Sequence, residues 1–145
     1  MTQYLKGLTD ESLVVRPVEG AHHAAWQLGH LIVSERRMVE GVRKGSGVAL
    51  PAVFEAAHDK DPSYSRNVGF LPLAEYVDLM TRQRELTLGL LREFPEADLA
   101  LPAPEFMRAY APTNASVFLS IASHELMHAG QIAVIRRRLG LPVVV

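Results

Sequence analysis

His124-Glu125-Leu126-Met127-His128 lies in a stretch of helical pattern that starts near Thr113 and stops at Leu139-Gly140-Leu141-Pro142. Glycine just outside a helix end, followed by proline, is a stop signal. Thr113 or Asn114 can cap the free N–H groups at the start. Val117, Ile121, His124, His128, Gln131 and Ile135 recur at spacings of 4, 3, 4, 3 and 4. That spacing predicts the inward stripe of a bundle helix. The stripe is apolar at both ends and polar in the middle. Burying two unpaired imidazoles is costly, and either a metal ion or a hydrogen-bonded histidine network removes that cost.

Two histidines four apart lie one turn above each other on the same helix face, close enough to share one ion. The segment also has the form H-E-x-x-H of zinc peptidases. The residues after His128 argue against that reading, because no His, Asp, Glu or Cys remains downstream to serve as a third ligand. A third ligand must therefore come from earlier in the chain. Of the other histidines, His22, His23, His30 and His58, His30 stands out because it lies inside the helical pattern Trp26-Gln27-Leu28-Gly29-His30-Leu31. His30 opposite His124 and His128 gives three neutral nitrogen ligands and leaves a position open for water or substrate, the form of a catalytic rather than a closed structural site. Imidazoles suit Zn²⁺ and Ni²⁺ best, with Fe²⁺ or Mn²⁺ as further options.

Outward from the last helix, strand signals are scarce and helical periodicity is frequent. A short helix is expected over roughly residues 1–8, with a further turn from Thr9-Asp10-Glu11. The next runs from about His22 to Arg43, buries Leu28, Leu31, Met38 and Val42, and stops at Lys44-Gly45-Ser46-Gly47. Residues 45–71 form a long connection with Pro51 and Pro62 and one helical turn at Val53 to Ala57. Such a connection suits the wall of a pocket or a plain surface loop. A third long helix starts near Pro72, stops at Phe94-Pro95 and buries Leu73, Val77, Met80, Leu91 and Phe94. Residues 95–112 carry Pro95, Pro102, Pro104 and Pro112 and read as a loop.

The chain of 145 residues is one domain, residues 1–145, with enough length for a real core. Its net charge of −1 gives no electrostatic case for nucleic acid. Arg136-Arg137-Arg138 is read as a solvated helix end, where cations complement the dipole. Cysteine is absent, which rules out disulfides and any thiol nucleophile of the chain's own and fits a reducing compartment. No stretch is long and apolar enough to span a bilayer, and the start has no signal-peptide core. A cytoplasmic protein without membrane partners is the expectation.

Two motifs together carry a resemblance. His22-His23-Ala24-Ala25-Trp26-Gln27-Leu28-Gly29-His30-Leu31 is similar to the W-x-L-G-H-L helix of the DinB-like superfamily, which is unrelated to the similarly named DNA polymerase. His124-Glu125-Leu126-Met127-His128-Ala129-Gly130-Gln131-Ile132, followed by Arg136-Arg137-Arg138-Leu139-Gly140-Leu141-Pro142, resembles its last helix. The resemblance covers roughly residues 8–142. It implies an all-α, up-and-down four-helix bundle with a divalent metal on His30, His124 and His128. It also implies a metal-dependent enzyme that activates water or a low-molecular-weight thiol, of hydrolase or S-transferase type, acting on a small molecule and commonly homodimeric. Some relatives transfer thiols such as bacillithiol or use mycothiol in an isomerisation. The chain departs from the family in having only about 21 residues before His22, so either the first helix is short or the given start lies inside it.

Around the three ligands, Trp26 is expected in the core or as a pocket wall one turn from His30, and His23 at the pocket rim. Gln131 is expected to bond a ligand ring or a water, and Glu125 to support the site or lie at the surface. Arg84 and Tyr76 are candidates to face the pocket. The alternative function is a non-catalytic metal- or small-ligand-binding bundle. A fourth protein ligand, such as Glu125 or His23, would favour it.

Overall fold

A computed structural model describes residues 1–59 and 69–142. Pro62 and the apolar tail Val143-Val144-Val145 lie outside the described residues. The chain forms α1 (Thr2–Leu5), α2 (Ala24–Val42), α3 (Ala52–Ala57), α4 (Leu73–Arg92), α5 (Glu96–Leu99) and α6 (Asn114–Arg138). Short 3₁₀ turns lie at Ser12–Val14 and Glu105–Met107. The fold is an all-α helical bundle. Its long members are α2, α4 and α6, and α1 near the N-terminus is a single turn.

Local chemistry sets the ends of the long helices. Thr113 accepts a bond from the Ser116 N–H and Ser116 accepts one from the Thr113 N–H, a reciprocal capping box that starts α6. At the other end Gly140 takes φ +70° and the Leu141 N–H bonds the Arg136 carbonyl, closing α6 with a left-handed glycine. His23 Nδ1 accepts the Trp26 N–H at 3.1 Å, so α2 begins after His23, two residues later than the sequence reading. The Asp10 carboxylate accepts the Leu73 N–H at 2.8 Å and caps α4 from the N-terminal segment.

α2 is the central helix and packs on both α4 and α6. The core has two apolar parts. One gathers Leu5, Leu13, Leu28, Ile32, Tyr76, Ile132 and Ile135. The other gathers Val39, Leu90, Met107, Val117 and Ile121. Along α6 the two histidines fall between them, between Ile121 and Ile132, so the polar middle of the stripe sits between two apolar ends as the spacing predicts.

Three details differ from the periodicity. On α4 the buried face is Tyr76, Gln83, Thr87 and Leu90, and Leu91 is exposed. Its most buried positions include polar groups, and Leu73, Val77, Met80 and Phe94 pack half-buried against the core beside them, as the spacing predicts. On α6 the buried face past His128 swings to Ala129, Ile132, Ile135 and Arg136 because α1 packs there, and Gln131 turns to solvent. Arg136 is not a solvated helix end. It is 4% exposed, and its guanidinium donates to the carbonyls of Tyr4, Lys6 and Pro142. One buried cation thus ties both ends of the chain to α6, while Arg137 and Arg138 remain exposed.

Arg136→Met should lower unfolding free energy in urea by about 2–3 kcal/mol, because charged donors and buried carbonyls lose their partners together. Arg137→Met should cost less than about 0.5 kcal/mol, as exposed substitutions do. Equal effects would contradict the structural role given to Arg136.

Candidate metal centre

His30 of α2 and His124 and His128 of α6 each offer a ring nitrogen to one point, and these nitrogens all lie within 4.8 Å of one another. His30 and His128 are buried and His124 is half-buried. Among the described residues, no other group of three or more His, Cys, Asp or Glu side chains converges this way.

The protonation of two rings follows from their partners. His30 Nδ1 lies 3.3 Å from the His58 carbonyl oxygen. A carbonyl only accepts, so His30 carries its proton on Nδ1 and its Nε2 lone pair is available. The Ser34 hydroxyl donates to that Nε2 at 3.4 Å. Gln27 donates through Nε2 to the His22 carbonyl at 3.0 Å, which leaves its Oε1 as acceptor for His128 Nδ1 at 3.2 Å. His128 Nε2 is therefore also a lone pair, and it faces His124 Nε2 at 3.1 Å. Imidazole ligands of metals usually donate their second N–H to a carbonyl or carboxylate, which fixes tautomer and ring direction. Both histidines have that arrangement.

Burial adds to this. Desolvation, then the neighbouring His124, His30 and His22, pushes the His128 pKa down to about 4. The ring is neutral, and so able to ligate, at any pH near 7.

Each of the other sequence candidates has a definite place. Trp26 is buried and stacks between two histidines, with ring centroids 3.5 Å from His22 and 4.6 Å from His30. His23 is the N-cap of α2. Glu125 is tied by one carboxylate oxygen to Arg84 at 2.7 Å and by the other to the Met1 amine at 2.9 Å. Burial alone would raise its pKa, but these two cations outweigh burial and hold the carboxyl below its usual range. That pairing removes it as the base of an H-E-x-x-H peptidase. Gln131, exposed, does not reach the rings. The orienting amide is Gln27, one turn before His30 on α2 and itself buried.

Arg84 also makes a two-pronged bond to Glu35, both contacts at 2.9 Å, and Thr87 donates to Glu35 at 2.7 Å. Glu35, Arg84 and Glu125 thus link α2, α4 and α6 along one side of His124. They line a cleft with about 10 Å³ of free space, room for roughly one water.

Tyr76 does not face the rings. Its hydroxyl contacts His58 Nε2 at 2.8 Å, and His58 Nδ1 donates to the Phe54 carbonyl at 2.7 Å. His58 is fully buried. Its ring lies so close over Gly29 that a Cβ at position 29 would overlap it. Only glycine at 29 admits this ring, and the ring's position brings the His58 carbonyl to His30. Glycine one residue before His30 was the available signal in the sequence.

The scan of family models matches residues 1–132 to the DinB superfamily. The chain belongs to the DinB superfamily. No curated protein and no solved structure matches it. The matched residues include all three converging histidines.

Burial of His128 and His58 predicts an acid-sensitive apo-protein. Burial pushes His58 to about 4, although its bond to the Phe54 carbonyl works the other way. In the unfolded chain both rings protonate near their ordinary value of about 6.5. The unfolded state therefore binds more protons between about pH 6.5 and 4, and stability falls as pH drops through that window. Urea unfolding of metal-free protein should show a loss on the order of a few kcal/mol from pH 7 to pH 5. His58→Gln should flatten that slope. A flat profile in the unmodified protein would contradict the burial assigned to the two rings.

Proposed function

We propose that this DinB protein is a metal-dependent enzyme whose His30, His124 and His128 hold a divalent ion, zinc or nickel foremost and iron or manganese otherwise. The observation that carries the reading is the pair of Nδ1–H bonds, His30 to the His58 carbonyl and His128 to Gln27. They commit the outer nitrogens and aim two Nε2 lone pairs at the point His124 shares. A bound divalent ion supplies Lewis acidity, lowering the pKa of a water or a low-molecular-weight thiol so that it can act as nucleophile. Hydrolysis or thiol transfer on a small-molecule substrate depends on which of the two is activated.

The chain's own residues shape that chemistry. With no cysteine, any thiol comes from a cosubstrate, which suits a reducing, cytoplasmic setting; among the described residues no helix is long and apolar enough to cross a membrane. Both oxygens of Glu125 are engaged, so proton transfer does not depend on it. His23 and Glu125 make other contacts, so three protein ligands leave coordination room, which favours catalysis over a purely structural ion.

We also propose a homodimer built on the outer face of α6. Leu119, Leu126, Met127 and Val134 are exposed there, Leu126 to 74%, and they share one side of the helix by their spacing. Light scattering should give twice the chain mass, and Leu126→Arg should give a monomer that keeps its helical content. A monomeric unmodified protein would contradict this.

The metal reading is tested by elemental analysis of protein purified without a His tag or chelator. Near one equivalent of metal is expected, lost in His128→Ala. Gln27→Leu should retain the fold and weaken metal binding by about 10- to 100-fold, as loss of an orienting partner does. No metal in the unmodified protein, and none taken up on reconstitution, would make the three rings a hydrogen-bonded core network.

A further inference from the structure

Trp26 is buried, only 5% exposed, yet its indole N–H has no hydrogen-bond partner, and the same holds for the buried Nδ1 of His22. A buried donor left without an acceptor costs about 1–3 kcal/mol, and native proteins leave few of them. Here the two fall on neighbouring rings. His22 and Trp26 are stacked at 13° between planes, and Trp26 lies against His30 at 7°. His22, Trp26 and His30 succeed one another at four-residue steps, so the two rings with orphaned nitrogens continue a stack that ends on His30, a candidate metal ligand.

Arg16 lies near enough to His22 to oppose its protonation, after the larger effect of burial. Glu35 and Glu125, which line one cleft with His124, are engaged by Arg84. A divalent ion on three neutral imidazoles carries two uncompensated positive charges. A small anion is what such a place attracts.

We infer that Trp26 and His22 form a subsite for the carboxylate of a substrate, with the indole N–H and the His22 ring donating to its oxygens beside the metal ligands. This rests on the metal reading above and adds to it a substrate class, small carboxylic acids. Trp26 would then be a binding residue, its ring held parallel to His30 so that the donor keeps a fixed position relative to the centre.

The test uses the full chain loaded with cobalt(II), which suits imidazole ligands and reports coordination by its visible absorption. The probe is acetate, with imidazole-free buffer throughout. Metal content is measured first. Acetate should perturb the cobalt spectrum saturably and also change the emission of Trp26, the single tryptophan. Trp26→Phe keeps a stacking ring and removes the donor. It should bind cobalt as the unmodified protein does and bind acetate about tenfold or more weakly, the effect of losing one hydrogen bond to a charged acceptor. His22→Phe, whose ring is only partly buried, provides the second variant and should weaken acetate in the same direction. Equal acetate affinity in a cobalt-loaded variant, or no acetate binding by the unmodified cobalt protein, overturns the subsite while leaving the metal centre standing. Failure of the unmodified protein to take up cobalt overturns the metal reading, and the subsite with it.

Discussion

The donation of two imidazole Nδ1–H groups to fixed carbonyl oxygens is the constraint on which the rest of the centre depends. His30 gives its proton to the His58 backbone and His128 to the Gln27 side chain. Neither acceptor can donate through oxygen, so neither ring can turn its Nδ1 lone pair inward. The remaining nitrogens must face the interior, where His124 meets them. A histidine cluster assembled only to fill space would have no reason to fix two tautomers in the same sense. A cluster assembled to hold a cation requires it.

That constraint reaches into the packing. The His58 carbonyl is in place because the His58 ring lies over Gly29 and is held at both nitrogens, by Phe54 and Tyr76. Gln27 is in place because its amide also bonds the His22 carbonyl. The connection between α2 and α4 is therefore part of the site through one backbone oxygen, and the start of α2 is part of it through one amide. On the other side Glu35, Arg84 and Glu125 close the space between α4 and α6, whose backbones have little contact of their own. Ionic side chains do there what an apolar seam would do in a tighter bundle.

Much of this was legible in the sequence. The three long helices, their stops at Gly45 and Gly140, the short first helix and the grouping of His30, His124 and His128 all come from spacing, caps and the two motifs. The features that stayed hidden have a common cause, namely polar side chains that are buried because a distant segment satisfies them. Gln83 and Thr87 are buried on α4 in this way, so a reading by apolar residues alone passes over them and takes in the exposed Leu91. Arg136 is buried because carbonyls from residues 4, 6 and 142 reach it, and nothing local distinguishes it from Arg137 or Arg138. Gln131 and Gln27 were equivalent in type, and which one reaches an imidazole depends on how α1 turns the end of α6. His58 gave no periodic signal at all, since its partners come from three separate elements.

The most direct measurement of the central claim is X-ray absorption at the metal edge of the loaded, untagged protein. Three imidazole nitrogens at about 2.0–2.1 Å, with the remaining scatterers light and exchangeable, are what the geometry predicts for zinc. Scattering from fewer than three imidazoles, or an edge unchanged in His30→Ala and His128→Ala proteins, would contradict it and place the metal elsewhere.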